Sequence, residues 1–236
     1  MEQRYDFAPL RITLLGGLAL GIVCVGIAVV QYPASTQQEV LYALALVLLV
    51  ACGVVVVRGT WSATLAGATA LRLGTLFGLL IGACWVVELY AANLAGTSAG
   101  WVLPVYRGST FMAGVVFPLA AGIVAAARTE RSGTGAAVGF WSGLIGGLIT
   151  FLALMGMTYV FMSNFQQDPQ NVRSYLESGE RTLSAFIVGD SLFASCSHLL
   201  LIGMLWGSVL GAVGGAIGLS LARARKPVLR PEEQAP

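Results

Sequence analysis

This chain of 236 residues is 57% hydrophobic and 10% charged, whereas soluble domains carry charge on about 25% of their residues. Long uncharged runs place it in the membrane class and exclude both a disordered chain and a core packed against water. The net charge of +2, spread over dispersed basic residues, argues against a nucleic-acid partner and leaves the lipid bilayer as the expected surround.

At about 20 apolar residues per crossing, six spans are expected near 10–30, 40–57, 73–94, 110–127, 134–162 and 191–222. They make an all-α, polytopic bundle, a single domain over 1–222, followed by a disordered basic tail over 223–236. Glu2, Arg4 and Asp6 precede the first span, which has no small-residue cleavage site, so it reads as a retained helix. Alternate connections carry unequal basic charge. One side holds Arg4, Arg11, Arg58, Arg72, Arg128, Arg131, Arg223, Arg225, Lys226 and Arg230, and the other Arg107, Arg173 and Arg181. The positive-inside rule then puts both termini in the cytoplasm. Among the basic residues only Lys226 is Lys, an Arg bias expected of a GC-rich bacterial genome, which points to a bacterial cytoplasmic (inner) membrane.

Two connections exceed a tight turn. Residues 58–72 (RGTWSATLAGATALR) either lie along the interface or extend the third helix with Arg72 snorkelling outward. Residues 163–190 form the most polar stretch. Asp168 and Pro169 there suit the N-cap and first turn of a short helix ending near Ser178 at Gly179. The apolar run 182–188 that follows is either a lid over the outer surface or part of an ordinary loop.

Glycines repeat at a spacing of four: Gly74, Gly78 and Gly82 in the third span, Gly139, Gly143 and Gly147 in the fifth, and Gly203, Gly207, Gly211 and Gly215 in the last. Residues four apart share a helix face, so each set makes a shallow groove for another backbone. These packing faces are expected to hold the bundle together, the alternative being a seam with a partner membrane subunit or a second copy. In the fourth span Pro118, between Gly114 and Gly122, removes a backbone hydrogen bond and should kink the helix.

Polar side chains are scarce in the spans. Glu88 is the one carboxylate well inside a span, and the single histidine, His198, follows Asp190 by about two turns of the last helix. Buried charge in lipid costs at least about 2.5–3.5 kcal/mol, so Glu88 should be neutral, snorkelling or paired. Glu88, His198 and Asp190 are the candidate polar site, at matched depth in the outer leaflet, where they either fix packing or bind a solute or proton. His198 points about 180° from Gly207 on the helical wheel and so faces a different neighbour.

Catalysis is not expected. No P-loop, HExxH, CxxC or paired-carboxylate pattern occurs, no cofactor motif is present, and one histidine makes no ordinary zinc cluster. Cys24, Cys52, Cys84 and Cys196 all lie in apolar runs and read as small buried hydrophobes. Gly139 to Gly143 around Ser142, with His198 before Gly203 and Gly207, resembles rhomboid proteases. The serine motif has one residue too many, and the serine and histidine belong to opposite halves of the membrane, about 10 Å or more apart, so the resemblance fails. In size and helix number the chain resembles the substrate-binding subunits of energy-coupling-factor importers, which implies a small-solute transporter or permease component. The alternative is a non-catalytic membrane subunit docking on partner helices through its glycine faces.

Overall fold

A computed structural model describes residues 7–32, 35–61, 65–94 and 100–224. Among these there is no strand, and six helices are long and apolar enough to cross a membrane. They are α1 (Ala8–Gln31), α2 (Thr36–Trp61), α3 (Leu65–Asn93), α4 (Val102–Thr129), α5 (Ser132–Val160) and α8 (Leu183–Ala224). Two short helices, α6 (Met162–Gln167) and α7 (Pro169–Ser178), lie between the last two spans. The protein is therefore a multi-pass membrane protein. Glu2, Arg4, Asp6, Arg225, Lys226 and Arg230 lie outside the described residues, as does the tail from 225 onward.

The helices outrun the hydropathy windows, because backbone hydrogen bonding continues into polar flanking turns where lipid gives way to headgroups and water. Helix α3 takes in Arg72, so the second half of the 58–72 connection extends the third helix. Helix α8 starts at Leu183, where the Thr182 side chain accepts a hydrogen bond from the Ala185 N–H. Residues 183–188 are thus the opening turns of the last span and not a lid. The short helix α7 begins at Pro169, with the Asp168 carboxylate accepting from the Gln170 N–H, and ends at Gly179, whose φ of +73° suits a residue without a Cβ.

Helix α5 is the hub, buried along most of its length and packed on α1, α3, α4 and α8. Its two long neighbours approach it differently. Against α3, glycine meets side chain: a Cβ added to Gly74 would lie 2.6 Å from Trp141 Cβ, and one added to Gly78 2.7 Å from Ile145 Cβ. Against α8, backbone meets backbone. A Cβ at Gly143 would overlap the Gly203 carbonyl, one at Gly139 the Gly207 carbonyl, and one at Gly122 of α4 the Gly211 carbonyl. Gly211 also faces Gly135 and Gly139, so α4, α5 and α8 converge there with no side chain between them. Such approach maximises van der Waals contact, the main attraction left when lipid is as apolar as the helix surface.

Interhelical hydrogen bonds add to this. The Tyr159 hydroxyl donates to the Cys24 carbonyl (2.6 Å), Gln38 Nε2 donates to the Ala185 carbonyl (3.1 Å), and the hydroxyls of Thr158 and Ser191 pair at 2.8 Å. Large apolar side chains such as Val30, Val47, Leu76 and Leu205 project from the bundle surface, as a lipid-facing exterior requires.

Candidate functional site

At the end of the bundle that carries α6 and α7, a cavity of about 160 Å³ is lined by Glu88, Asn93, Asn171, Asp190, Ser191 and His198, with Leu154 and Phe165 among its apolar walls. All three polar residues singled out from the sequence therefore line one space. Their delivery is local. Glu88 and Asn93 stand five residues apart near the end of α3, and Asp190 and His198 stand about two turns apart on α8. Asn171 comes from α7, which is tied back when its side-chain amide donates to the Phe165 carbonyl at 2.9 Å.

Each member of the trio is held differently. Glu88 is 7% exposed, and its Oε2 has no hydrogen-bond partner among the described residues. The Tyr106 phenol of α4 reaches the same carboxylate. His198 Nδ1 lies 2.9 Å from the Ala194 carbonyl, an acceptor, which puts the ring hydrogen on Nδ1. The edge of Trp85 meets its ring at 4.9 Å between centroids, nearly perpendicular. Asp190 is exposed at the cavity rim. No hydrogen bond joins Glu88 to His198, and no three His, Cys, Asp or Glu side chains among the described residues converge on a metal-sized site. The arrangement presents two carboxylates and an imidazole to a shared space without pairing them to each other.

Trp85 and Tyr106, which touch His198 and Glu88, line a second space of about 660 Å³, an apolar groove that also includes Arg107, Phe111, Leu201 and Trp206. Here two spans depart from α-helical hydrogen bonding: Met112–Val116 in α4 and His198–Trp206 in α8 are π-helical. Pro118 explains the partner contact. The carbonyl of Gly114 would accept from the backbone N–H of residue 118 in an α-helix, and proline has none. The Trp206 indole donates to that carbonyl instead, at 2.9 Å. Helix α4 thus runs on past Pro118, with a wide turn before it and a side chain from α8 supplying the missing donor. π-helical turns recur at functional sites, and this pair lines the apolar groove through Gly114, Val115, Leu201 and Trp206, with only His198 of the two segments reaching the cavity of Glu88.

The opposite end of the bundle carries a third space of about 620 Å³, lined by Glu130, Arg131, Ser132, Thr134 and Arg223 among others. Thr134 and Leu154 lie on the same helix, α5, about 30 Å apart at 1.5 Å rise per residue, which is about the thickness of the hydrocarbon core. The two spaces are therefore separated along α5 by about the thickness of a bilayer's apolar layer.

Sequence reasoning missed Asn93, Tyr106, Asn171 and Trp85. Asn171 and Asn93 carry a polar signal, but both belong to stretches where polarity is expected, and only the folding back of α7 and the level of the α3 terminus bring them to Glu88. Ser142 is fully buried and donates to the Gly139 carbonyl (3.0 Å), the ordinary back-bonding of a helical serine. Comparison with protein-family models, with curated proteins and with solved structures finds no match to this chain.

Proposed function

We propose that this protein is a non-catalytic small-solute transporter or permease component of a bacterial cytoplasmic membrane, with both termini cytoplasmic. Its solute site is the cavity of Glu88, Asp190 and His198. The observation that carries the reading is the Glu88 carboxylate: deep in a bundle end, lining a cavity, with an oxygen left unpaired. Tyr106 meets this carboxylate from α4, and the oxygen left over costs about 1–3 kcal/mol as an unsatisfied buried acceptor, a cost that a donor held in the cavity would offset. The excess basic charge assigned to the opposite end, Arg11, Arg58, Arg72, Arg128, Arg131 and Arg223 among the described residues, supports a cytoplasmic placement of that end and an outward-facing site. The glycine contacts with α5 support a packing role inside one chain.

The test is accumulation without a preconceived substrate. Vesicles reconstituted with the protein are incubated in a bacterial metabolite extract, and the solutes retained are identified by mass spectrometry. Wild-type vesicles should enrich at least one solute that vesicles carrying Glu88→Gln do not; identical profiles would overturn the reading. A second reading, a non-catalytic subunit that packs on partner helices, draws on the apolar groove beside Trp206. Copurification in mild detergent separates the two, since that reading requires a stoichiometric membrane partner with or without any solute.

A further inference from the structure

We propose that the cavity takes a small organic ammonium ion, an inference that rests on reading this space as a solute site. Among its lining residues are two carboxylates, Glu88 and Asp190, together with Asn93, Asn171, Ser191 and His198, and no Lys or Arg. Glu88 is more than nine-tenths buried, and its Oε2 has no partner among the described residues. A carboxylate removed from water and left without a counter-charge is costly, so the occupant that lowers the energy of this space brings positive charge and N–H donors. An anion would meet two carboxylates and no Lys or Arg.

Size and spacing narrow the class. Glu88, Asp190 and His198 do not converge closely enough to ligate a metal ion, so a bare cation cannot serve them together, whereas an ammonium on a short carbon frame can reach one carboxylate and extend toward the other. The volume of about 160 Å³ equals about five water molecules at about 30 Å³ each, which admits an amine of a few carbons and excludes a bulky one. The buried Phe165 side chain in the wall gives the carbon frame an apolar contact.

The test uses three probes of one shape in calorimetric titrations of the whole protein in nanodiscs: propylammonium, propanol and propionate. Propylammonium should bind saturably, and the neutral and anionic analogues should not at the same concentrations. Glu88→Gln should weaken propylammonium by about tenfold or more, the loss expected when one partner of a buried charged pair is removed. Asp190→Asn, at the exposed rim, should weaken it less, and both variants should keep the wild-type melting temperature. Binding of propionate or propanol as tight as that of propylammonium, or undiminished binding by a folded Glu88→Gln protein, would overturn the inference. So would the absence of binding by all three probes, and a cysteine at a cavity-lining position then separates the two levels. If Ala194→Cys reacts with a small water-soluble thiol reagent from the α7 side above the background of the native cysteines, the site reading survives and the ligand class falls. If it does not react, both fall.

Discussion

The indole of Trp206 illustrates how one side chain can hold a proline in the middle of a membrane helix. By donating to the Gly114 carbonyl it satisfies an acceptor that Pro118 leaves open, and it does so on a lipid-facing surface where no water competes. Replacing Trp206 with Phe keeps an aromatic ring and removes only the donor. The expected loss is about 1 kcal/mol, read as a lower melting temperature in nanodiscs, with Leu205→Phe one residue away as a control that leaves the hydrogen bond in place. At this scale the sequence was most readable where a charge interrupts an apolar run, which is why Glu88, Asp190 and His198 stood out. The residues that complete their surroundings did not, since an asparagine at a helix end or in a polar connection is unremarkable until the fold carries it to a carboxylate. Pro118 was visible as an anomaly, but the donor that answers it lies 92 positions from Gly114.

Between elements, backbone proximity sets the outcome of small substitutions. Gly143 and Gly26 both lie within spanning helices, yet a Cβ at Gly143 would overlap the Gly203 carbonyl, whereas one at Gly26 would meet nothing within 4 Å. Gly143→Ala should therefore push α5 and α8 apart, at a cost of about 1–3 kcal/mol or more. Gly26→Ala should be neutral or stabilise by up to about 1 kcal/mol, because alanine loses less chain entropy in a helix. Unfolding in graded denaturing detergent checks the contrast, and equal responses would contradict the backbone contact. The spacing of four among the glycines was plain in the sequence. Which helix each one meets was not: Gly78 faces a side chain of α5, whereas Gly203 faces its main chain, and nothing in the local pattern distinguishes the two. Helix ends were the least readable feature, since composition marks the apolar window and hydrogen bonding carries the helix beyond it.

For the whole molecule, the number and order of crossings followed from hydropathy alone, and the six spanning helices agree with it. The orientation proposed above has a direct check in intact cells. A cysteine at Ser178, exposed at the end of α7, should react with a membrane-impermeant maleimide, whereas one at Gly133, exposed in the first turn of α5, should react only after permeabilisation; the reverse pattern would invert the topology. The separation of Thr134 and Leu154, which line different spaces at the two ends of α5, has a mechanical corollary. If the cavity beside Glu88 takes a solute as proposed, that solute would still have to pass the join of α5 and α8, where main chain meets main chain. On that reading passage would demand that this join come undone, and loading would not. Bridging its far end across the space lined by Ser132 and Arg223, with Ser132→Cys and Arg223→Cys joined by a reducible bifunctional thiol reagent, should leave the loading step intact and halt delivery until reductant is added. The same glycines that make the bundle dense would then act as its gate.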